Sequence, residues 1–442
     1  MALRCSPVAR LPIEIMHAIF NAGPDHVESR MYFAMSVSQV SRLWRQIALR
    51  TPFIWSSVLL YAQSTEEWWE LMKMRIKLSC SHPLDIMVEL YHYGPKPGPE
   101  FYSMLDYQLN VIIPEASRWK SLQYSGSLSR DAFSFFQTLS LLSAPLLEVL
   151  EIEAGMDDEM YINEALIVFS GGAPILSRVM IEGIKISSCL PPISSVSSIA
   201  LYHPPGPIDF VLFKEILTTP DALTNIELHA DVVDEVQLLE FAADGQYFEL
   251  SSLRSLFIAA DMAPENQLLG LLSILRCPGL ETMSVAVPKD DLYIRPRHNY
   301  KFPTYASLRS LQLDGLDCIQ LCADFDVKNL PALTCITFIR CSNAVALLRA
   351  MVPTAEVQMD IWPLLQSIGL DAASLHRDDV DELCTVLSYR NQCGRPINCV
   401  RFDIAGDQFV ANGNHVRALQ KHVHIEIYCV SPDTHSIAAV FH

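Results

Sequence analysis

The segment Ala306-Ser307-Leu308-Arg309-Ser310-Leu311-Gln312-Leu313 decides the fold. Leu311 and Leu313 flank one polar residue, so they share one face of a short strand, and Leu308 leads in three positions earlier. Ser251-Ser252-Leu253-Arg254-Ser255-Leu256-Phe257-Ile258 repeats the arrangement. Outward from these two, eleven copies run from Trp119/Leu122/Tyr124 to Ile397/Val400/Phe402, with successive first positions 20–32 residues apart. A fixed apolar motif at that period marks a repeat, one supersecondary unit that buries its apolar face only on its neighbours. Amphipathic stretches lie between copies: 209–217 with Phe210, Phe213 and Leu217, 343–351 opening on Asn343 as a cap, and 378–389 with Val380, Leu383 and Leu387.

One strand and one helix per repeat predict an α/β fold, a leucine-rich-repeat-like solenoid of parallel strands and helices. The Asn or Cys expected three residues after the last apolar position is present at Cys341, whereas Ile184 and Leu316 stand there in two other copies. The turns are therefore expected to be irregular. His422 to Val430 alternates like a strand that caps the array. If the strands line a concave face, the variable positions around the second apolar residue point outwards and are candidates for binding a target protein. They are Glu151, Glu153, Arg178, Glu182, Tyr202, Glu227, His229, Phe257, Arg309 and Gln312, with Met180 and Asp314 beside them. An acidic and aromatic strip of this kind suits a basic or apolar segment of a partner.

Composition narrows the classes. Half of the 442 residues are hydrophobic and 19% are charged, which excludes a largely disordered chain. The net charge of −18 argues against a nucleic-acid partner, because phosphate contacts need a basic surface. The longest uncharged stretch, 186–208, is broken by five prolines, so no membrane span is expected. The opening residues lack the apolar core of a signal peptide, and the expected setting is the cytoplasm or nucleus. Twelve cysteines without a CxxC pair read as reduced, mostly buried thiols.

Residues 1–60 differ in charge from the rest, with six Arg against three acidic residues. Leu11-Pro12-Ile13-Glu14 opens a helix, since Pro fits a first turn and Glu14 complements the dipole. A second helical stretch is expected from about Ser29 to Arg50, stopped by Pro52. Ser64 as cap with Glu67 opens a third, followed by an alternating strand over Leu84, Ile86, Val88 and Leu90 and a proline-rich loop over 94–99. The small apolar bundle at the N-terminus must bury its surface either on the remainder of the chain or on a partner.

Three motifs in order carry a resemblance over residues 10–90: Leu11-Pro12, then Val40-Ser41-Arg42-Leu43-Trp44-Arg45, then Pro52-Phe53-Ile54-Trp55. Ser79-Cys80-Ser81-His82-Pro83-Leu84-Asp85 follows them. This order resembles an F-box protein, in the form common in mushroom-forming fungi; Ser41 stands where many members have Cys. The resemblance implies an F-box over 1–62 that docks on a Skp-type adaptor, and through it a cullin, in an SCF ubiquitin ligase. It assigns Leu11, Pro12, Ile15, Phe20, Val40 and Trp44 to docking or its support, although Trp44 at its spacing also suits the core of the bundle. A connecting helix, first strand and loop then occupy 63–110, and the solenoid with its cap occupies 111–442. The alternative is a repeat scaffold with a vestigial F-box outside any ligase.

Chemical motifs are missing. No glycine-rich phosphate loop, His-Glu-x-x-His or Gly-x-Ser-x-Gly occurs. Cys318, Cys322, Cys335 and Cys341 have no zinc spacing and fall on a repeat strand and its turn, while His415, His422 and His424 read as surface residues. Asp378-Asp379-Val380-Asp381-Glu382 reads as a helix N-terminus. The expectation is a protein with no catalytic residue, no metal and no cofactor.

Overall fold

Leu84, Ile86, Val88 and Leu90 are buried while Asp85, Met87 and Glu89 between them are half-buried, so one face of this strand meets a core and the other is open. The same alternation recurs along the chain. The computed structural model describes residues 11–24, 26–61, 65–90, 109–127, 130–155, 166–204, 206–260, 265–287, 302–318, 330–352, 361–371, 377–403, 417 and 419–428. The chain is mixed α/β and divides into two compact units, Met1–Ile208 with Thr219–Ala222, and Asp209–Thr218 with Leu223–His442.

In the first unit, helices α1 (Ile13–Asn21), α2 (Val27–Val40) and α3 (Arg42–Ala48) precede strand β1 (Ser57–Tyr61), helix α4 (Glu66–Leu78) and strand β2 (Leu84–Leu90). Then follow β3 (Trp119–Ser127), α5 (Arg130–Ser140), β4 (Val149–Gly155), β5 (Arg178–Glu182) and β6 (Ser198–Tyr202). The strands pair in chain order and all in parallel. Leu150 lies between Leu122 and Val179, and Ile152 between Tyr124 and Ile181. The repeated apolar positions thus form continuous buried rows, and the lead-in residues Leu147, Leu176 and Val196 close the core beneath them.

The second unit holds α6 (Phe210–Thr218), β7 (Asn225–His229), α7 (Glu235–Ala243), β8 (Phe248–Glu249), β9 (Ser255–Ala259), α8 (Glu265–Ile274) and β10 (Leu275–Arg276). It continues through β11 (Thr282–Ala286), β12 (Ser310–Asp314), β13 (Cys335–Ile339), α9 (Ala344–Arg349), β14 (Ser367–Asp371), α10 (Arg377–Gln392), β15 (Cys399–Asp403) and β16 (His424–Tyr428). Its parallel ladder runs β7-β9-β11-β12-β13-β14-β15-β16, and β8 pairs with β10 apart from it. All eleven copies of the motif fall on strands, and the alternating C-terminal segment is β16.

The irregular turns share one device. Gly183, Gly315 and Arg340 follow β5, β12 and β13 with positive φ, and the next residues, Ile184, Leu316 and Cys341, are all buried. The left-handed residue reverses the chain, and whatever follows it drops into the core. A Cβ on Gly183 would overlap the carbonyl oxygen of Ala154, so that turn demands glycine.

Several expectations change. The single helix over Ser29–Arg50 is two, because Ser41 is extended (φ −161°, ψ 170°) and its hydroxyl accepts from the Trp44 amide to cap α3. Pro12 is the N-cap of α1 and not its first helical residue. Thr65, and not Ser64, caps α4, accepting from the Trp68 amide. Asn343 sits at the left-handed φ of 57° and makes no capping bond; its amide donates to Asp317 instead. A helix does not fill every repeat, since the link from β5 to β6 has only the 3₁₀ turn Ile186–Ser188. Strand β1 had no alternation to reveal it: four of its five residues are buried, covered on both faces. Ser64, Cys322, His415 and the 94–99 loop lie outside the described residues.

Candidate functional site

Two surfaces gather the residues singled out above. The first is built on the N-terminal helices. Met16, Phe20, Ala34, Val37, Ile47, Ala48, Ile54 and Trp55 form their core, with Phe33, Trp44, Phe53 and Leu78 packed against it. Phe20 is 0% exposed, and its ring lies 5.4 Å from that of Trp44. Phe20 therefore supports the bundle and is not free to be touched, whereas Trp44 packs against it and stays partly exposed. Leu11 (39% exposed), Ile15 (48%) and Val40 (59%) turn away from that core, and Pro12 is exposed with them. Ile13, Ile19 and Leu43 are exposed too and were not singled out from sequence; the signal was a helix apolar on more than one side, Ile13 to Phe20. Exposed apolar residues thus gather on and beside three short helices.

The bundle is fixed to the strands behind it. Arg30 on α2 donates to Asp85 on β2 at 2.5 Å, and Ser121 on β3 donates to the other oxygen of the same carboxylate at 2.8 Å. Arg75 on α4 is 0% exposed and has no carboxylate partner among the described residues; it donates to the carbonyls of Ser57 (2.9 Å), Ile54 (3.1 Å) and Met31 (3.4 Å) and lies 5.3 Å over the Trp55 ring. Burial, and then the neighbouring Arg30, push its pKa down to about 9, so it stays charged at neutral pH. The Trp55 indole donates to the Ala48 carbonyl at 2.7 Å and that of Trp68 to the Leu59 carbonyl at 3.2 Å. Five carbonyls, two of them on β1, thus take a buried or half-buried side-chain donor from elsewhere in the bundle and α4.

The second surface is the open sheet face. In the first unit Tyr61, Glu89, Ser125, Glu153, Glu182 and Tyr202 fall side by side on one row of six strands. The adjacent row carries Gln123, Glu151 and Met180, with Gln123 donating to Glu151 at 2.8 Å. Arg178 is exposed at the start of β5. Partial burial pushes the Glu182 carboxyl up; the Glu153 charge adds to the shift and His203 opposes it. Glu89 is raised in the same way, first by burial and then by Glu28, against His26.

In the second unit Glu227, Phe257, Ser284 and Gln312 share a row, with Thr282, Ser310 and Cys335 on the next. Two expected outward residues are not outward. His229 is buried where the 3₁₀ turn Ala230–Val232 follows its strand directly, and Asp314 is buried beneath Arg340, which grips both its oxygens at 2.8 and 2.6 Å. Arg309 is exposed but precedes β12, and its carbonyl accepts the amides of Thr334 and Cys335.

Among the described residues no group of three or more His, Cys, Asp or Glu is placed to hold a metal ion. Cys318 and Cys341 are buried in the repeat core, and His424 is exposed 3.7 Å from Glu426. Among the described residues no helix is long and apolar enough to cross a membrane. No protein-family model matches the chain, and no curated protein is similar to it.

Proposed function

We propose that the chain is the substrate-recognition subunit of an SCF-type ubiquitin ligase. Its N-terminal helices are an F-box that docks on a Skp-type adaptor and through it on a cullin; its repeats form a leucine-rich-repeat-like solenoid that holds a target protein. The observation that carries this reading is the solvent-open apolar set Leu11, Ile15 and Val40, at positions that the motif resemblance assigns to the adaptor. A bundle that needed these side chains for its own core would bury them, as it buries Phe20. The chain itself makes and breaks no covalent bond: it raises the effective concentration of a target near a ubiquitin-charged enzyme, and a rigid arm makes that gain larger. It works in the cytoplasm or nucleus.

Co-purification with a Skp-type adaptor tests the reading, wild type beside a Leu11→Ala, Pro12→Ala double variant. A one-to-one complex formed by the wild type and lost in the variant is the expected result. No complex with either would overturn the proposal and leave a repeat scaffold whose N-terminal helices are a cap.

A further inference from the structure

We propose that the open sheet face of the first unit holds an extended segment of the target rich in lysine or arginine; this rests on the target-binding reading above and names its chemistry. The register places Glu89, Glu153 and Glu182 on one row of β2, β4 and β5, with Ser125 between them and Tyr61 and Tyr202 at the two ends. Every strand of the row except β1 presents only half-buried or exposed side chains on this face, so these strands keep it at least partly open to solvent.

Among the described residues neither Glu89 nor Glu182 has a hydrogen bond or an ion pair, and both carboxyls are pushed up by partial burial and by like charges, Glu28 and Glu153 respectively. Among the described residues the basic side chains near the row are His26, His203 and the exposed Arg178, while Arg30 is committed to Asp85. An apolar segment laid here would strip more water from these carboxylates at further cost, and an anionic one would be repelled. A cationic segment relieves both penalties, and the flanking tyrosine rings suit the faces of its guanidinium or ammonium groups.

Geometry sets the length. From β2 to β5 is three strand spacings, ~14 Å, which an extended peptide crosses in about five residues carrying two or three basic side chains.

The test uses the purified full chain and a labelled peptide of alternating lysine and serine, with the glutamate–serine peptide as control, read by fluorescence anisotropy at low and high salt. The Glu89→Gln, Glu153→Gln, Glu182→Gln triple variant is compared with Glu215→Gln, Glu240→Gln, Glu281→Gln, which removes the same charge from exposed sites of the second unit. The row variant is expected to weaken lysine-peptide binding at least about tenfold and the control variant less than about twofold, with wild-type binding falling as salt rises. Equal losses in the two variants, or no preference of the wild type for the lysine peptide, would overturn the inference. Adaptor co-purification is read on the same samples: a row variant that keeps the adaptor localises the loss to the sheet face. A chain that binds the peptide but no adaptor refutes the ligase reading and leaves this one standing.

Discussion

Removing the Arg75 side chain measures how firmly the N-terminal helices are held to the strands. Arg75→Met keeps the apolar stem and deletes the fork that reaches the carbonyls of Ser57, Ile54 and Met31. No solvent reaches the site, since Arg75 is fully buried, so the three carbonyls lose their donor with no water to replace it. The Met31 carbonyl keeps its place in the α2 ladder, so at about 1 kcal/mol for each of the other two left unpaired the variant loses ~2 kcal/mol of stability in the first unit. Arg75→Lys brings one ammonium group where three directions must be served, and is expected to recover about 1 kcal/mol of that. Urea unfolding followed by tryptophan fluorescence is the suitable assay: Trp44, Trp55, Trp68, Trp69 and Trp119 lie in the first unit and Trp362 alone in the second. A loss below about 1 kcal/mol for Arg75→Met would refute the reasoning, because the carbonyls would then have been satisfied without it.

Other outcomes follow from the same geometry. Phe20→Ala, in the bundle core, should cost ~3–5 kcal/mol, whereas the exposed Ile15→Ala should change stability by less than about 0.5 kcal/mol and yet weaken adaptor binding in pull-down. Gly183→Ala should destabilise by at least about 2 kcal/mol in urea melts, from the left-handed φ together with the overlap on the Ala154 carbonyl. Glu182→Gln should leave stability unchanged in acid and raise it by up to about 1 kcal/mol at neutral pH. The sign comes from the upward shift: a carboxyl that the fold prefers protonated favours folding below the ordinary carboxylate range, and that contribution is lost as pH rises through the raised value. A variant equally displaced from wild type at both pH extremes would show that the shift is not the cause.

Much of the ladder was legible because strand periodicity is local. Leu308, Leu311 and Leu313 declare a face within six residues, and the copies stack in register because each offers the same row to the next. The break at Ser41 was hidden by the apolar spacing that runs through it on both sides, and β1 was hidden because burial on both faces erases alternation. The exposed apolar set on the N-terminal helices was half legible. Helix α1 is apolar in several directions, and the sequence of Ile13 to Phe20 does not say which side the other helices will cover.

What the sequence by itself determined, then, is the repeat, its strands and the class of residue on each row, since these depend on neighbours two to four positions away. Only the tertiary structure decided that Phe20 is core while Ile15 is open, that Arg340 buries Asp314 from 26 residues away, and that Arg30 and Arg75 fasten the helices to the strands. These are contacts between residues far apart in the chain, and a side chain's exposure is set by which distant element arrives to cover it.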